Sequence, residues 1–412
     1  MGLAGYGDDR ILKEFPKELW FKEYGNHVYC NTLVNYPPLL DNKKKTLRYS
    51  FYLLLRKTRR KLSIAIKNIA EAFLKLAYRN DIRYFATKPN FFNEIYLHHP
   101  PRGNNVKLPD KYYSSVAYLA QFLLEKIAII FGKRLKEVTR CENLSVAGGV
   151  GLNIDANRNF IEKVGFKRIW IQPGSSDSGI PLGCALYGAH EILKLPRFWE
   201  MKRASLGRTY SEEDIKTAIN KFKDKILFEK SPHVTKDTAR YMADGKIIGW
   251  FHGGSEYGPR ALGNRSIICD ASRKDMKDIL NIKVKHREPW RPFATSILAE
   301  HQSEWFEFDQ LSPFMLLASL VKEEKKSRIP SIVHVDGTCR IQAVTRESNA
   351  KYYDLINEFK KITGLPLILN TSFNLGGDPI VETPEDALET FLKTEIDYLI
   401  LEDYVIEKND KK

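Results

Sequence analysis

The stretch LSVAGGVGLNIDANRNFIEKVGFKRIWIQPGSSDSGIPLGCALYGAHEIL, residues 144–193, alternates strand, glycine loop and helix twice. Leu144–Ala147 is a short apolar run that ends at two glycines, which predicts a strand entering a tight loop. Asn153–Val164 then has helical periodicity, and Arg168–Ile171 predicts the next strand. The loop PGSSDSG leads into a second helix at about Pro181–Leu193. Two strand–loop–helix units in succession predict an α/β fold.

The sequence on either side of this stretch predicts a two-domain chain. Residues 195–210 interrupt the periodicity with Pro, Arg and Gly, so we place a boundary there and predict domains 1–198 and 199–412. Residues 114–131 have the apolar spacing of a helix with one buried stripe. That stripe comprises Val116, Leu119, Ala120, Leu123, Ile127, Ile130 and Phe131.

Further elements are expected outside this region. A helix is predicted at Ser63–Leu76, and strands are predicted at Lys246–Phe251 and Leu367–Leu369. Thr383 is followed by Pro384 and two acidic residues, the combination typical of a helix N-terminus.

The composition narrows the class of protein. With 65 Lys and Arg against 51 Asp and Glu, the 412-residue chain carries a net charge of +14, which attracts anions such as phosphorylated substrates. The run Arg56–Lys61 (RKTRRK) is the best candidate for a nucleic-acid contact, but such runs are usually solvated, so nucleic acid is not an expected partner. Five scattered cysteines indicate free thiols in a reducing cytoplasm. Neither a signal peptide nor a membrane-spanning segment is predicted.

Two of the loops that follow strands are glycine-rich. Gly148, Gly149 and Asn153 lie in GGVGLN, where glycines let backbone N–H groups approach a phosphate and a helix N-terminus adds a favourable dipole. A tight turn without any ligand is the alternative. Asp177 lies in PGSSDSG, and its carboxylate either binds a metal ion or caps the following helix.

The loop GGSEYGPRALGNRS, residues 253–266, carries two arginines five residues apart. The guanidinium groups of Arg260 and Arg265 suit phosphate or carboxylate oxygens, whereas a purely structural turn needs only the glycines. We therefore favour a functional role for this loop.

A last set of polar residues is divided along the chain. Three cations lie within VKHREPWRPFA, a neutral Ser and Asn lie in NTSFN, and one more arginine lies in HVDGTCR. These residues are Lys285, Arg287, Arg291, Ser372, Asn374 and Arg340. The cations can neutralise a triphosphate while the serine and asparagine orient it. The alternative is a basic surface patch and an Asx turn.

These motifs, taken in order, resemble those of the carbamoyltransferases of nodulation-factor and antibiotic biosynthesis, the NodU and CmcH type. GGVGLN, the DSG loop, EYGPRALGNRS, VKHREPWRPFA, HVDGTCRIQ and NTSFN are all present, and the N-terminal MGLAGYG is also similar. The resemblance extends from Met1 to about Ile406. Several motifs of about ten residues make it specific.

The resemblance implies a fold and a reaction. Residues 1–198 would form an incomplete actin-like ATPase domain, and residues 199–412 would form a YrdC-like twisted α/β domain. In the family the YrdC-like domain uses carbamoyl phosphate, ATP and Mg²⁺ to make carbamoyl adenylate. The actin-like domain then transfers the carbamoyl group to a hydroxyl of a sugar or natural product.

The resemblance also implies roles for individual residues. Lys285 and Arg287 match the KxR element of the YrdC type, and Ser372 and Asn374 match its SxN element. The catalytic residues implied are Arg260, Arg265, Lys285 and Arg287. The nucleotide- or carbamoyl-binding residues implied are Gly148, Gly149, Asn153, Arg291, Arg340, Ser372 and Asn374.

One departure from the family concerns its metal. Members bind iron through an HxxxH pair and an aspartate upstream of MGLAGYG, together with the aspartate that matches Asp177. This sequence contains no HxxxH, and adjacent His98 and His99 would point apart on a regular element. Asp177 is therefore expected to be part of an incomplete site. Either a separate N-terminal subunit completes the enzyme, or the chain makes the adenylate without transferring it.

Two other functions remain open. A threonylcarbamoyl-adenylate synthase of tRNA modification shares the KxR and SxN elements but needs neither the PRALGNRS loop nor an actin-like domain. A non-catalytic nucleotide-binding partner would use the same loops to hold ATP for a second chain. The acceptor substrate is not evident from the sequence.

Overall fold

The computed structural model describes Ala4, the backbone of residues 21–24, 27–30 and 111–112, and residues 113–197 and 199–409. The predicted helix at Ser63–Leu76, the run Arg56–Lys61, the histidines at 98 and 99, and most of MGLAGYG lie outside these ranges. The chain divides into two compact units, one of Arg10–Lys107 and a larger one of Met1–Asp9 with Leu108–Lys412. The smaller unit contains an antiparallel pair, β1 (Phe21–Tyr24) and β2 (His27–Cys30).

The first described part of the larger unit confirms the predicted alternation of strands and helices. Its elements are α1 (Lys111–Thr139), β3 (Asn143–Val146), α2 (Ile154–Glu162), β4 (Arg168–Ile171) and α3 (Ile180–Tyr187). Strands β3 and β4 pair in parallel. The prediction for α1 was only partly right, because Leu119 and Leu123 are buried whereas Phe131 is 60% exposed.

The remainder of the larger unit is built on a nine-stranded mixed sheet. Its strands are β5 (Ile226–Lys230), β6 (Ile248–Phe251), β7 (Arg265–Cys269), β8 (Ala294–Leu298), β9 (Leu317–Leu320), β10 (Thr338–Val344), β11 (Leu367–Ser372), β12 (Tyr398–Leu401) and β13 (Tyr404–Lys408). Their order in the sheet is β5-β13-β12-β6-β7-β11-β8-β10-β9. Both predicted strands of this half are present, as β6 and β11.

Helices cover this sheet and bury a continuous apolar core. They are α4 (Glu212–Lys221), α5 (Val234–Ala243), α6 (Met276–Ile279), α7 (Gln302–Trp305), α8 (Glu323–Lys326), α9 (Ala350–Thr363) and α10 (Pro384–Leu392). The predicted Thr383 cap is confirmed: its side chain accepts from the Asp386 N–H, and the Asp386 carboxylate bonds back to the Thr383 N–H. Trp250 and Phe359 are among the fully buried side chains of the core.

Residues 143–171 pack against the sheet rather than standing apart from it. The Ile169 N–H donates to the Gln310 side chain at 2.8 Å, and the Gln310 amide donates back to the Ile169 carbonyl at 2.7 Å. The Asn157 amide reaches the Leu316 carbonyl at 2.8 Å. Ile171 and Leu262 share a second apolar cluster. The proposed boundary at residue 198 thus falls inside the larger compact unit, and the division into domains there stays a prediction.

The strand order brings residues that are distant in the chain to neighbouring strand ends on one side of the sheet. The register pairs Phe251 with Arg265, Ser266 with Ser372, Asn370 with Ala294, and Ala294 with Arg340. Strand β11 lies between β7 and β8, so the end of β11 is flanked by the starts of both neighbours. Arg265, Ser372 and Arg340 therefore lie at strand ends on the same side of the sheet.

Candidate functional site

The centre of the site is the buried side chain of Lys285, which is 2% exposed. Lys285 follows a π-helical turn at Leu280–Val284, and its N–H bonds to the Leu280 carbonyl at 2.8 Å. Its ammonium donates to the Asn374 side-chain oxygen at 2.7 Å, the Asn374 carbonyl at 3.0 Å and the Ser372 hydroxyl at 3.3 Å. It also contacts the Ser372 carbonyl. The structure thus brings together the two elements predicted from KxR and SxN.

The environment of Lys285 lowers the pKa of its side chain. Burial lowers the pKa of its ammonium well below the usual range, and the nearby Arg287 charge lowers it further. The Ser372 hydroxyl donates to the Asn374 side-chain oxygen at 2.6 Å, so this oxygen accepts from both residues. The described contacts of the Lys285 amine are to the uncharged oxygens of Ser372 and Asn374, so an anion in the site would favour its protonated, positively charged form.

A cavity of about 650 Å³ opens beside these groups. Its lining comes from the turn after α6 and the loop after β11: Lys285, His286, Arg287, Glu288, Arg291, Ser372, Asn374, Leu375, Gly376 and Gly377. The two segments meet closely, because a Cβ on Gly376 would overlap the Lys285 carbonyl. Only glycine permits this approach, so the wall of the cavity depends on that position.

Arg287 and Arg291 occupy different positions at this cavity. The Arg287 Nε donates to the Asn281 side chain at 2.7 Å, and its guanidinium lies over the Phe293 ring at 4.7 Å. Burial, followed by the Arg291 charge, lowers the pKa of Arg287 to about 10. Arg291 is exposed and pairs with Glu288 at 2.9 Å. Arg287 therefore belongs to the interior of the site and Arg291 to its rim.

Arg260 and Arg340 add two poorly compensated charges. In the described part of the chain, neither forms an ion pair with a carboxylate, and the buried Nε of each has no hydrogen-bond partner. Burial lowers the pKa of Arg340 well below its usual range, and the charges of Arg260 and Arg287 lower it further. We call Lys285, Arg287, Arg260 and Arg340 the cation cluster. Lys285 is buried and the three arginines are partly buried, so a bound anion would offset their mutual repulsion.

Arg265 is placed differently from Arg260, although both lie in the same loop. It is fully buried, and its guanidinium donates to the carbonyls of Gly253 at 2.9 Å and Asn264 at 3.1 Å. The group lies over the Phe251 ring at 3.4 Å. Through these contacts Arg265 stabilises the conformation of the loop 253–266. Its catalytic role stays a prediction.

Sequence reasoning missed the residues that shape this loop. One oxygen of Glu256 accepts from the N–H groups of Leu262 at 2.7 Å and Asn264 at 2.8 Å. From the sheet, the Gln342 amide donates to the Leu262 carbonyl at 2.8 Å. Both residues stand inside the quoted motifs, EYGPRALGNRS and HVDGTCRIQ, but a lone acid or amide gives no signal of such a contact.

The GGVGLN loop has open space around its glycines. A Cβ on Gly148 or Gly149 would meet no atom within 4 Å, and Gly148 has a φ of 94°. The Asn153 side chain caps α2 by accepting from the Ala156 N–H at 3.0 Å, and it pairs with Gln121. Asn153 thus has a structural use here, and phosphate binding by this loop stays a prediction.

Asp177 opens a short 3₁₀ turn, Asp177–Gly179. The predicted capping of the following helix is wrong, because the N-cap of α3 is Gly179 and no side chain caps it; Ser176 caps the 3₁₀ turn, its hydroxyl accepting from the Ser178 N–H at 3.3 Å. Across the described ranges, no group of three or more His, Cys, Asp or Glu side chains could hold a metal ion. An incomplete iron site that includes Asp177 stays a prediction, and we derive no step from it.

Comparison with known protein families identifies the class of this chain. Residues 239–408 match the carbamoyltransferase C-terminus, and residues 61–186 match the carbamoyltransferase N-terminus. The chain belongs to the carbamoyltransferase family. The residues of the cation cluster all lie within the part that matches the C-terminal model of this family.

Relatives of this carbamoyltransferase-family chain are considerably longer. It is 39% identical over 326 residues to the uncharacterised protein sll1178 of Synechocystis, covering 71% of this chain and 52% of that protein. It is 38% identical to the nodulation protein NolO of Bradyrhizobium diazoefficiens, covering 72% of this chain and 55% of the relative. Nodulation protein U of Rhizobium tropici is 34% identical, with 66% and 46% covered. The chain thus spans about half the length of these relatives.

One solved structure and one helix complete the comparison. The structure of HypF from T. kodakarensis matches with a TM-score of 0.31 and 18% identity, covering 45% of this chain and 22% of that one, too little to support a fold assignment. Within the described ranges one helix, Tyr113–Thr139, is long and apolar enough to cross a membrane. Core helices of water-soluble proteins share that length and composition, so this helix alone does not indicate a membrane location.

Proposed function

We propose that this chain is the carbamoyl-activating part of an O-carbamoyltransferase. Carbamoyl phosphate and Mg²⁺-bound ATP would be its substrates, and carbamoyl adenylate its product. The acceptor would be a hydroxyl of a sugar or natural product. We assign the sheet-based half to a YrdC-like domain and the half before residue 199 to an incomplete actin-like ATPase domain.

The observation that carries the proposal is the convergence of Lys285 with Ser372 and Asn374 beside poorly compensated arginines. The cavity is lined by Lys285 and Arg287, and with Arg260 and Arg340 the cation cluster has enough positive charge to suit a nucleoside triphosphate. The neutral Ser372 and Asn374 hold Lys285 in place without cancelling its charge. An excess of partly buried positive charge favours an anionic ligand over a neutral one.

The overall conversion balances when one water is consumed. Water releases carbamate and phosphate from carbamoyl phosphate, and a carbamate oxygen then attacks the α-phosphorus of ATP. The bond from that phosphorus to the bridging oxygen breaks, and pyrophosphate leaves with the electron pair. One carbamoyl adenylate, one phosphate and one pyrophosphate result. We assign Lys285 and Arg287 to the negative charge that grows on the leaving pyrophosphate.

Arg260 and Arg340 are a second group of donors within the cation cluster, available to an anion other than the leaving pyrophosphate. The charges of Arg260 and Arg287 both lower the pKa of Arg340, so these three guanidinium groups influence one another. We assign these two arginines to the carbamoyl phosphate or the adenylate phosphate. Magnesium would arrive with ATP and supply charge neutralisation of its phosphates.

Pyrophosphate release tests the proposal. The purified chain, incubated with ATP, carbamoyl phosphate and Mg²⁺, is expected to release pyrophosphate, and Lys285→Met is expected to lower the rate by roughly 100-fold. Lys283→Gln is the matched control, because Lys283 lies two residues away, is exposed and pairs with Glu395. If the wild-type chain releases no pyrophosphate, or if Lys285→Met retains the full rate, the proposal is wrong.

The same assay separates the other candidate functions. A threonylcarbamoyl-adenylate synthase would release pyrophosphate with threonine and bicarbonate in place of carbamoyl phosphate. A non-catalytic partner would bind ATP without turnover under every condition. The Arg260 loop favours the carbamoyltransferase, since that loop belongs to the matched family region.

Transfer to the acceptor would require more than the residues described here. Among the described residues, strands β3 and β4 form a two-stranded parallel sheet, although parallel sheets normally have several strands and cover on both faces. Trp170, Ile180 and Tyr187 on this region are 42%, 59% and 63% exposed. We propose that the remaining length of the relatives, supplied by a separate subunit or by further sequence, completes this sheet.

The cytoplasm is the proposed location of the chain. Among the described residues, Cys141, Cys184, Cys269 and Cys339 are all free thiols, as a reducing compartment would keep them. Nucleic acid stays an unexpected partner.

A further inference from the structure

The loop that carries Arg260 also contacts the two glycine loops of the first half. The Tyr257 hydroxyl donates to the Ser178 carbonyl at 2.5 Å, inside the Asp177–Gly179 turn. The Tyr257 ring packs on Gly174, where a Cβ would lie 2.7 Å from a ring carbon. At its other end, Arg260 donates to the Leu152 carbonyl at 3.4 Å. One loop therefore contacts both PGSSDSG and GGVGLN.

The backbone between these contacts has little freedom to adjust. Gly258 has a φ of +113°, and a Cβ there would overlap the Pro173 carbonyl. The Tyr257 N–H bonds to the Ala204 carbonyl at 2.6 Å. Downstream, Glu256 and Gln342 both hold Leu262. A segment fixed at both ends transmits a change at Arg260 to Tyr257 instead of absorbing it.

We propose that Tyr257 is a positioning residue that couples anion binding at the cation cluster to the order of the PGSSDSG loop. An anion bound to Arg260 and Arg340 stabilises the segment 256–266. The ordered segment holds Tyr257 in place, which favours the hydrogen bond from its hydroxyl to the Ser178 carbonyl. The turn that carries Asp177 is then ordered when the activating site is loaded. The use of this coupling rests on the proposed function. The coupling would order the PGSSDSG loop of the half before residue 199, where we place carbamoyl transfer, only when carbamoyl adenylate is present.

The coupling must act in both directions. Two sites that share a free energy of coupling affect each other by the same factor. Loss of the Tyr257 hydroxyl removes one hydrogen bond and leaves the ring on Gly174, so Tyr257→Phe should break the coupling without disturbing the packing. Tyr187→Phe is the matched control, because Tyr187 lies in the same region and is exposed.

Hydrogen–deuterium exchange of the full chain with inorganic pyrophosphate tests this coupling. In the wild-type protein, pyrophosphate is expected to slow exchange at residues 284–291, 256–266 and 174–180. The slowing at residues 174–180 should be roughly fivefold, which corresponds to the free energy of about one hydrogen bond. In Tyr257→Phe, the slowing at 174–180 should disappear while the other two segments stay protected. Tyr187→Phe should behave as the wild-type protein.

The outcomes distinguish the coupling from the proposed function. Protection at 284–291 and 256–266 with none at 174–180 in the wild-type protein overturns the coupling alone. Equal protection at 174–180 in Tyr257→Phe also overturns it. Absence of protection at 284–291 means that the cation cluster binds no pyrophosphate, and this result overturns the proposed function together with the coupling.

Discussion

The ammonium of Lys285 and the side-chain oxygen of Asn374 lie 2.7 Å apart, although 89 residues separate them in the chain. Their contact exists because β11 lies between β7 and β8 and delivers the NTSFN loop to the turn after α6. The wall of the nucleotide-sized cavity forms where these two segments touch. Changes that separate the segments should therefore weaken nucleotide binding without unfolding the core.

Gly376→Ala is expected to separate them. A Cβ at this position would overlap the Lys285 carbonyl, so the loop must move away and stretch the bonds between Lys285 and Asn374. We expect the KM for ATP in the pyrophosphate assay to rise by about tenfold, which corresponds to one or two weakened hydrogen bonds. Gly183→Ala is the control, because a Cβ on Gly183 meets nothing within 4 Å. An unchanged KM in Gly376→Ala would contradict the tight contact.

Arg340→Met should stabilise the ligand-free protein and abolish its response to anions. Arg340 is partly buried, its buried Nε has no hydrogen-bond partner, and no described carboxylate pairs with it, so a neutral side chain of similar length removes an unsatisfied donor and the repulsion from Arg260 and Arg287. Removing a buried donor that has no hydrogen-bond partner, here the Nε of Arg340, is expected to stabilise the protein by about 1–3 kcal/mol. Thermal unfolding, followed with and without pyrophosphate, measures both effects.

The control for this experiment is Arg346→Met, since Arg346 is 65% exposed and pairs with Asp354. It should change neither the midpoint of unfolding nor the shift caused by pyrophosphate. A lower midpoint for Arg340→Met, or an unchanged pyrophosphate shift, would show that Arg340 is compensated within the fold.

Asp155 should make stability fall as the pH rises from about 4 to about 6. Burial, followed by the charges of Glu125 and Asp336, raises the pKa of Asp155 from 3.8 to about 6. Between these values the folded state binds more protons than the unfolded state, so the free energy of unfolding decreases with pH. The shift corresponds to about 3 kcal/mol of stability that is present at low pH and absent above pH 6.

Urea unfolding at pH 4.5 and pH 7 measures this effect. Asp155→Asn has no proton to lose and should remove this part of the difference between the two pH values, whereas exposed Asp224→Asn should leave it intact. The same pH difference in Asp155→Asn and wild-type protein would rule out Asp155 as its source.

The exposed apolar surface around α3 should bind a hydrophobic dye. Ile180, Tyr187 and Ile192 are each more than half exposed, and exposed apolar patches of this kind usually serve as interaction surfaces. We expect 8-anilinonaphthalene-1-sulfonate fluorescence to rise with the purified chain and to fall in the double variant Ile180→Asp, Tyr187→Asp. Equal fluorescence from the wild-type and variant proteins would show that this surface is covered in solution.

Local order along the chain could be predicted from the amino acids alone. The strands β3, β4, β6 and β11 and the Thr383 cap follow from apolar periodicity, glycine placement and capping chemistry, which act between residues close in the chain. The motif residues themselves were also recognisable, because glycines beside arginines and lysines are an uncommon combination. The family followed from their order.

Only the tertiary structure decided which of these residues lie together. Arg260 and Arg265 are five residues apart in one motif, yet Arg265 donates to the carbonyls of Gly253 and Asn264, whereas Arg260 donates to the Leu152 carbonyl and its buried Nε has no partner. The sheet order, with β11 between β7 and β8, brings Ser372 to Lys285. Such contacts depend on burial and on strand pairing between distant segments, and neither is encoded in the local spacing of side chains.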